Sequence, residues 1–316
     1  MSRKQLTILS GAGINLGISA VCPKADEMLN FTYKKVSESV YGRIKPEIRS
    51  MFSPESFDYI LGGLLTVNLA IEKTKQDLKR FRMNEQAFMD LFKQSELQTS
   101  IADALDSIEE QLTISLDQML DVTETFDASI SRLFEQYNSM NYFTLNFDGI
   151  FDHIIYGKAY KRGGEVTDFW TWDGKIDRSI DRKMRVFHLH GDLRYKPFKK
   201  TRHNSPPYRW PVVVVGDQEV KKGIIGSSEA LRFYNKRFAA AFNERGDVSE
   251  NNLAIIGFGF RNEDEHIIRA VEQALQSRVF DKVFLFDPED KLASRHAGHV
   301  WVPSGSTSLI QFLEML

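Results

Sequence analysis

Two histidines one residue apart, His188 and His190, lie in the run Val186-Phe187-His188-Leu189-His190-Gly191-Asp192, which puts titratable side chains at the end of an apolar strand. Imidazole titrates near neutrality, so either can take a proton from water or from a sugar hydroxyl. Two apart in a strand, they would face one side, with Leu189 opposite. His190 precedes Gly191, where the strand ends and the backbone leaves room for a ligand, whereas His188 suits a buried histidine held by hydrogen bonds. A second apolar run ends in Thr144-Leu145-Asn146-Phe147-Asp148. There Asn146 and Asp148 would share a side and offer an amide and a carboxylate to one ligand, or form an Asx turn that caps the strand. Gly11-Ala12-Gly13 follows the strand-like Gln5–Ser10 and opens a helix. Glycines in that place either let the backbone approach a pyrophosphate that faces free helix amides, or make a plain turn. The spacing Gly11-x-Gly13-x-x-x-Gly17 is one residue longer than the dehydrogenase fingerprint, so an ordinary dinucleotide oxidoreductase fits poorly.

Strands must hold these tips. Short apolar runs at Tyr142–Leu145, Val186–Leu189, Val212–Val215, Leu253–Gly257 and Val283–Phe286 read as strands, with Val212–Val215 apolar throughout as a central strand would be. Helical stretches follow the last three, at Glu229–Phe242, Asp264–Leu275 and near Lys291. Strand and helix alternate, which predicts a doubly wound parallel α/β sheet whose ligands bind outside the carboxyl ends of the strands. Residues 35–139 read differently. They lack proline after Pro54, carry few glycines beyond Gly62-Gly63, and start a helix at Ser53-Pro54-Glu55. Leu97, Ile101, Ala104, Leu105, Ile108 and Leu112 recur at helical spacing. The reading is therefore a Rossmann-like domain at 1–34 and 140–316, interrupted by a helical insertion at 35–139.

With 41 basic and 43 acidic side chains the net charge is -2, so bulk electrostatics favour neither nucleic acid nor an anionic membrane. Lys196, Lys199, Lys200, Arg202 and Arg209, interleaved with Tyr195, Tyr208 and Trp210, could grip nucleic acid but suit a solvated loop better. No apolar run approaches the roughly 18 residues of a membrane span, and the expectation is a cytoplasmic chain without a membrane partner. Cys22 is the only cysteine, which excludes an intrachain disulfide and a four-cysteine zinc module; it reads as a small buried hydrophobe.

Four motifs occur in a telling order: Gly11-Ala12-Gly13-Ile14-Asn15, Thr144-Leu145-Asn146-Phe147-Asp148, Leu189-His190-Gly191 and Ile256-Gly257-Phe258-Gly259-Phe260. In this order the chain resembles the sirtuin-like fold that binds nicotinamide adenine dinucleotide (NAD), over roughly residues 1–30 and 140–290. It looks closest to the bacterial branch that hydrolyses NAD in antiviral defence. The resemblance implies His190 as proton acceptor, Asn146 against the nicotinamide ribose or the attacking water, and Asp148 at the nicotinamide carboxamide. It implies that Gly11, Ala12, Gly13 and Asn15 hold the dinucleotide, and that the Gly257–Gly259 loop meets its adenosine side. Asp287, ending the Val283–Phe286 strand, could bind the adenosine ribose or simply begin an Asp-Pro turn. Asn262 could cap the following helix, and His266, inside it, reads as structural. Two departures from the family stand out: Asn15 where Ser is usual, and Gly259 in place of Ser.

The leading expectation is hydrolysis of NAD to nicotinamide and ADP-ribose, with NAD as substrate and no metal, by a toxic effector of a defence system. Other readings are a module that senses NAD or an ADP-ribose derivative without turnover, and an ADP-ribosyltransferase or zinc-free deacylase. The absent zinc module makes deacylation the poorer fit. The apolar face of the insertion must be buried somewhere, which implies a homo-oligomer or a partner protein whose assembly gates the site.

Overall fold

The structure is a computed structural model and describes residues 3–18, 116–169, 176–191, 213–215, 218–294 and 298–316, with isolated helical positions between 67 and 78. Cys22, the helix start at Ser53, the face from Leu97 to Leu112 and the basic stretch from Lys196 to Arg209 lie outside them. Strands β1 (Lys4–Ser10), β2 (Ser139–Thr144), β3 (Val166–Thr167), β4 (Met184–His188), β5 (Glu250–Ile256), β6 (Lys282–Asp287) and β7 (Val300–Pro303) form one sheet. Its order is β3-β4-β2-β1-β5-β6-β7, and every neighbouring pair is parallel. Parallel strands need crossovers that cover both faces, and β1, β2 and β5 are accordingly buried along nearly their whole length. The protein has the doubly wound, Rossmann-like α/β fold expected from the alternation of its elements.

Alternate strand residues face opposite layers. One face presents Leu6, Ile8, Met140, Tyr142, Val186, Ala254 and Ile256 to a core shared with α2 (Leu116–Gln136), α3 (Ile150–Tyr156) and α7 (Leu309–Met315). The other presents Phe143 and Phe187, stacked with ring centroids 4.7 Å apart, to Phe238 of α5 (Glu229–Asn243). Each buried aromatic of this kind contributes on the order of 2 kcal/mol. The last helix starts on a capping box: Gln311 N–H donates to Ser308 Oγ at 3.2 Å, and Ser308 N–H donates to Gln311 Oε1 at 3.1 Å. Its Leu309 lies against Gly17 of α1 (Gly13–Ile18), where an added Cβ would come within 3.1 Å of Leu309 Cβ. Gly17 thus serves close helix packing.

Several expectations change. Val213–Val215 are buried but are not among the strands of the described sheet. An apolar run reports burial and does not by itself distinguish a strand from a packed connection. Near Lys291 the chain makes turns where a helix was expected, and β7 follows. Asn262 belongs to a short 3-10 turn, Asn262–Asp264, that leads into α6 (Glu265–Gln276) without a side-chain cap. Two compact units are present, and Ile114–Pro211 falls in the unit that holds the sheet. Hence α2, read as part of the insertion, packs beside α3 and α7; the second unit is Ala25–Thr113 with Val212–Glu229, including α4 (Gln218–Ser227). A helical reading of this stretch was legible, but not which layer would bury it.

Gly257 has φ 57°, and a Cβ built there would lie 2.4 Å from the Gly13 carbonyl carbon. Left-handed backbone and contact with unyielding backbone should together make Gly257→Ala cost at least about 2 kcal/mol of stability in urea unfolding. Gly259, whose added Cβ would meet only the Arg261 side chain at 3.4 Å, should accept Ala within about 0.5 kcal/mol. Equal losses at the two positions would contradict this assignment.

Candidate active site

Strand order reverses at β1, which has β2 on one side and β5 on the other. Crossovers leave opposite ways at such a point, and the crevice outside the carboxyl ends of the strands is where open α/β sheets bind ligands. The loops after β1 and β5 are joined there by backbone. Gly11 N–H donates to Ile256 O at 3.1 Å and Gly13 N–H to Gly257 O at 3.1 Å. Added Cβ atoms at Gly11 and Gly13 would come within 2.8 and 2.7 Å of Gly257. The Ile14 and Asn15 amides are also engaged, with Gly11 O at 3.0 Å and Ala12 O at 3.2 Å. Ala12 itself is exposed. These glycines are therefore required first by the contact between two loops, and the amides of Gly11, Gly13, Ile14 and Asn15 are already spent within the protein.

The short helix after this loop carries Asn15 to the end of β2. Asn15 Nδ2 donates to Asp148 Oδ2 at 2.8 Å, and Asn146 Nδ2 donates to Asn15 Oδ1 at 3.5 Å. Asn146 and Asp148 lie beyond the end of β2, yet one partner gathers both onto one side. Asp148 Oδ1 also accepts from Ile150 N–H at 2.8 Å, which is the Asx turn expected of this segment. Burial pushes the Asp148 carboxyl above the usual carboxylate range, and Asp152 adds to the rise; the Ile150 and Asn15 bonds and His188 oppose it. Beneath lies a buried hydroxyl chain. Asn146 N–H donates to Thr144 Oγ1 at 3.0 Å, Ser10 Oγ donates to Thr144 Oγ1 at 3.0 Å, and Tyr142 Oη then donates to Ser10 Oγ at 2.8 Å. Burial, with Asp152 nearby, holds the Tyr142 phenol protonated.

The two histidines part company. His188, the last residue of β4, is fully buried with Nε2 2.7 Å from Asp152 Oδ2 and Nδ1 3.1 Å from Asn146 O. His190 is beyond the strand in a turn closed by Gly191, whose φ is 89° and whose N–H donates to His188 O at 3.1 Å. That turn carries His190 to other partners: Nε2 lies 3.5 Å from Asp264 Oδ1, and the ring centroid is 6.4 Å from that of His266. The same-side placement expected for two residues of one strand fails because the strand ends between them. At roughly 4.8 Å per strand, β4 and β5 are about 14 Å apart with β2 and β1 between them. The contact from His190 to Asp264 therefore brings the loops after β4 and β5 together past the ends of β2 and β1.

Asp287 is buried at the end of β6 and held by Lys291 Nζ at 2.8 Å and by the Glu289 N–H at 3.2 Å. It belongs to its own turn and is not drawn into the group formed by Asn15, Asn146 and Asp148. Gly259 is exposed beside Arg261, between Phe258 and Phe260, whose rings lie 4.6 Å apart. Sequence reading missed Asp264, placed only at the start of a helical stretch, and Asp152, which carried no motif. Asp152 had one signal, its place inside the apolar helix Ile150-Phe151-Asp152-His153-Ile154-Ile155, where a carboxylate requires a partner. No protein-family model matches the chain, and no curated protein does.

Because the folded Asp148 carboxyl holds its proton more tightly than the unfolded one, its contribution to stability is fully present below about 3.9 and declines as pH rises through the folded value. Asn15→Ala removes an opposing hydrogen bond and should move the Asp148 titration further up, read by carbon-detected NMR of the carboxyl. A wild-type titration at or below the ordinary aspartate value would contradict the geometry.

Proposed function

We propose that the chain is an NAD glycohydrolase, which breaks the bond between nicotinamide and ribose and adds water to the ribose carbon. One observation carries the reading most: residues from the ends of β1, β2 and β4 and from the loop after β5, far apart in sequence, meet in two groups, Asn15 with Asn146 and Asp148, and His190 with Asp264. The order of motifs in the sirtuin-like family supports the identity of the substrate. Cleavage passes through an oxocarbenium-like state in which the carbon–nitrogen bond electrons leave with nicotinamide. Asn146 is assigned to the ribose or the water, Asp148 to the carboxamide, and His190 to the proton that water loses on attack, with Asp264 stabilising the imidazolium. NAD enters and ADP-ribose, nicotinamide and a proton leave, so the reaction balances without a redox partner. By the same resemblance the role is a toxic effector of antiviral defence, held off by assembly or by a partner protein.

A second reading, binding of NAD or an ADP-ribose derivative without turnover, is favoured by one feature. The first glycine loop spends its amides on Gly257 and on its own turn, which leaves few donors for a pyrophosphate.

Purified protein incubated with NAD should release nicotinamide without any acceptor. His190→Ala and Asn146→Ala should each lower the rate by at least about a hundredfold while leaving the unfolding midpoint within a few degrees of wild type. Wild-type turnover in His190→Ala would remove that residue from the chemistry, and NAD binding without nicotinamide release in the wild type would favour the sensing module.

A further inference from the structure

His188 and Asp152 have side chains 1% and 3% exposed, so neither can exchange its partner for water. The Asn146 carbonyl can only accept, which requires Nδ1 of His188, 3.1 Å away, to carry hydrogen. If the imidazole were neutral, its Nε2 would then be a bare acceptor facing a carboxylate oxygen at 2.7 Å. Two acceptors do not approach that closely without a proton between them. Turning the ring over would point carbon at both oxygens and satisfy neither. One extra proton therefore belongs to this pair, relative to a neutral imidazole beside a carboxylate.

The surroundings favour a positive ring. Asp152 reaches it from α3; Asp148, from the segment that precedes α3, is electrostatically coupled to both His188 and Asp152; Tyr142, from β2, is kept neutral near Asp152. Two of these groups are carboxylates, and removing the proton would leave the buried Asp152 carboxylate facing a bare Nε2 at 2.7 Å, which is strongly unfavourable.

We propose that His188 is a positioning residue, held as an imidazolium by Asp152, which anchors the Asn146–Asp148 segment through the Asn146 carbonyl and releases it when the pair loses its proton at alkaline pH. The consequence for turnover rests on the NAD-hydrolase reading; the protonation state and the anchoring do not. The role is separate from that of His190, whose Nε2 lies 3.5 Å from Asp264 Oδ1.

Sign follows from linkage. A histidine that is charged when folded and neutral when unfolded binds a proton on folding, so its contribution to stability is full below about 6.5 and is lost as pH rises through the folded value. Asp152→Asn is the discriminating variant, since an amide donates to Nε2 of a neutral ring and preserves both contacts without the extra proton.

Side-chain nitrogen NMR of the wild-type protein at pH 7.5 should show both nitrogens of His188 protonated, while Asp152→Asn should show only Nδ1 protonated. The thermal midpoint of the wild type should fall relative to that of Asp152→Asn as pH is raised from 6.5 to 9.5, and the backbone signals of Asn146 to Asp148 should move with it. Where NAD is cleaved, the wild type should lose enzyme-dependent turnover about tenfold per pH unit beyond the loss of this proton, and Asp152→Asn should not. A wild-type His188 with one bare nitrogen at pH 7.5, or midpoints that run parallel in the two proteins, would overturn the proposal. Absence of NAD cleavage would count against the hydrolase reading alone, because the NMR and thermal measurements decide the pair by themselves.

Discussion

The backbone of Gly13 lies so close to that of Gly257 that a single added carbon would stand 2.7 Å from the Gly257 Cα. This contact at the reversal of strand order fixes the loops after β1 and β5 to one another, with the Gly13 N–H donating to Gly257 O at 3.1 Å. Each of these two loops supplies one partner to the contacts at the carboxyl edge. On one side α1 delivers Asn15 to Asp148 and Asn146. On the other, the turn after Gly257 delivers Asp264 to His190. Glycine is required because no side chain fits between the loops and because Gly257 adopts a left-handed backbone.

Polar groups are concentrated above a hydrocarbon sheet. Ser10, Asn15, Thr144, Asn146, Asp152, His188 and His190 are all buried. Burial of such groups is tolerable only when they satisfy one another, and the hydroxyl chain from Tyr142 to Thr144 and the links among Asn15, Asn146 and Asp148 do so. A core built for stability alone would fill these positions with aliphatic side chains, as the same strands do a few residues earlier at Leu6, Ile8, Met140 and Val186. The price of this polar edge is an acid, Asp148, that burial pushes toward its neutral form, and such perturbed groups gather where chemistry is done.

The sheet was largely legible because parallel strands covered on both faces leave short apolar runs, as at Val186-Phe187 and Leu253–Ile256. Val213–Val215 misled for the same reason: burial was read correctly and pairing was not. The edge strands β3 and β7 were missed since they are short, and β7 exposes Val300 and Trp301. At the site, the tips Asn146, Asp148 and His190 were legible from residue type and position. Their partners were not. That Asp264 would reach His190 across two intervening strands, or that Asn15 would bind both Asn146 and Asp148, depends on loop paths that no periodicity encodes. The glycines were read for a ligand's sake, whereas their nearest demand is loop against loop, a distinction spacing alone cannot draw.

The central claim is that the ends of β1, β2, β4 and β5 form a single site for NAD. Titration of NAD into protein with nitrogen-15 label tests it most directly, with the side-chain amides of Asn15 and Asn146 and the backbone amides of Gly191 and Gly257 as reporters. The account predicts that all four shift together along one saturation curve. A titration in which NAD leaves them unmoved, or in which they follow separate curves, would contradict it.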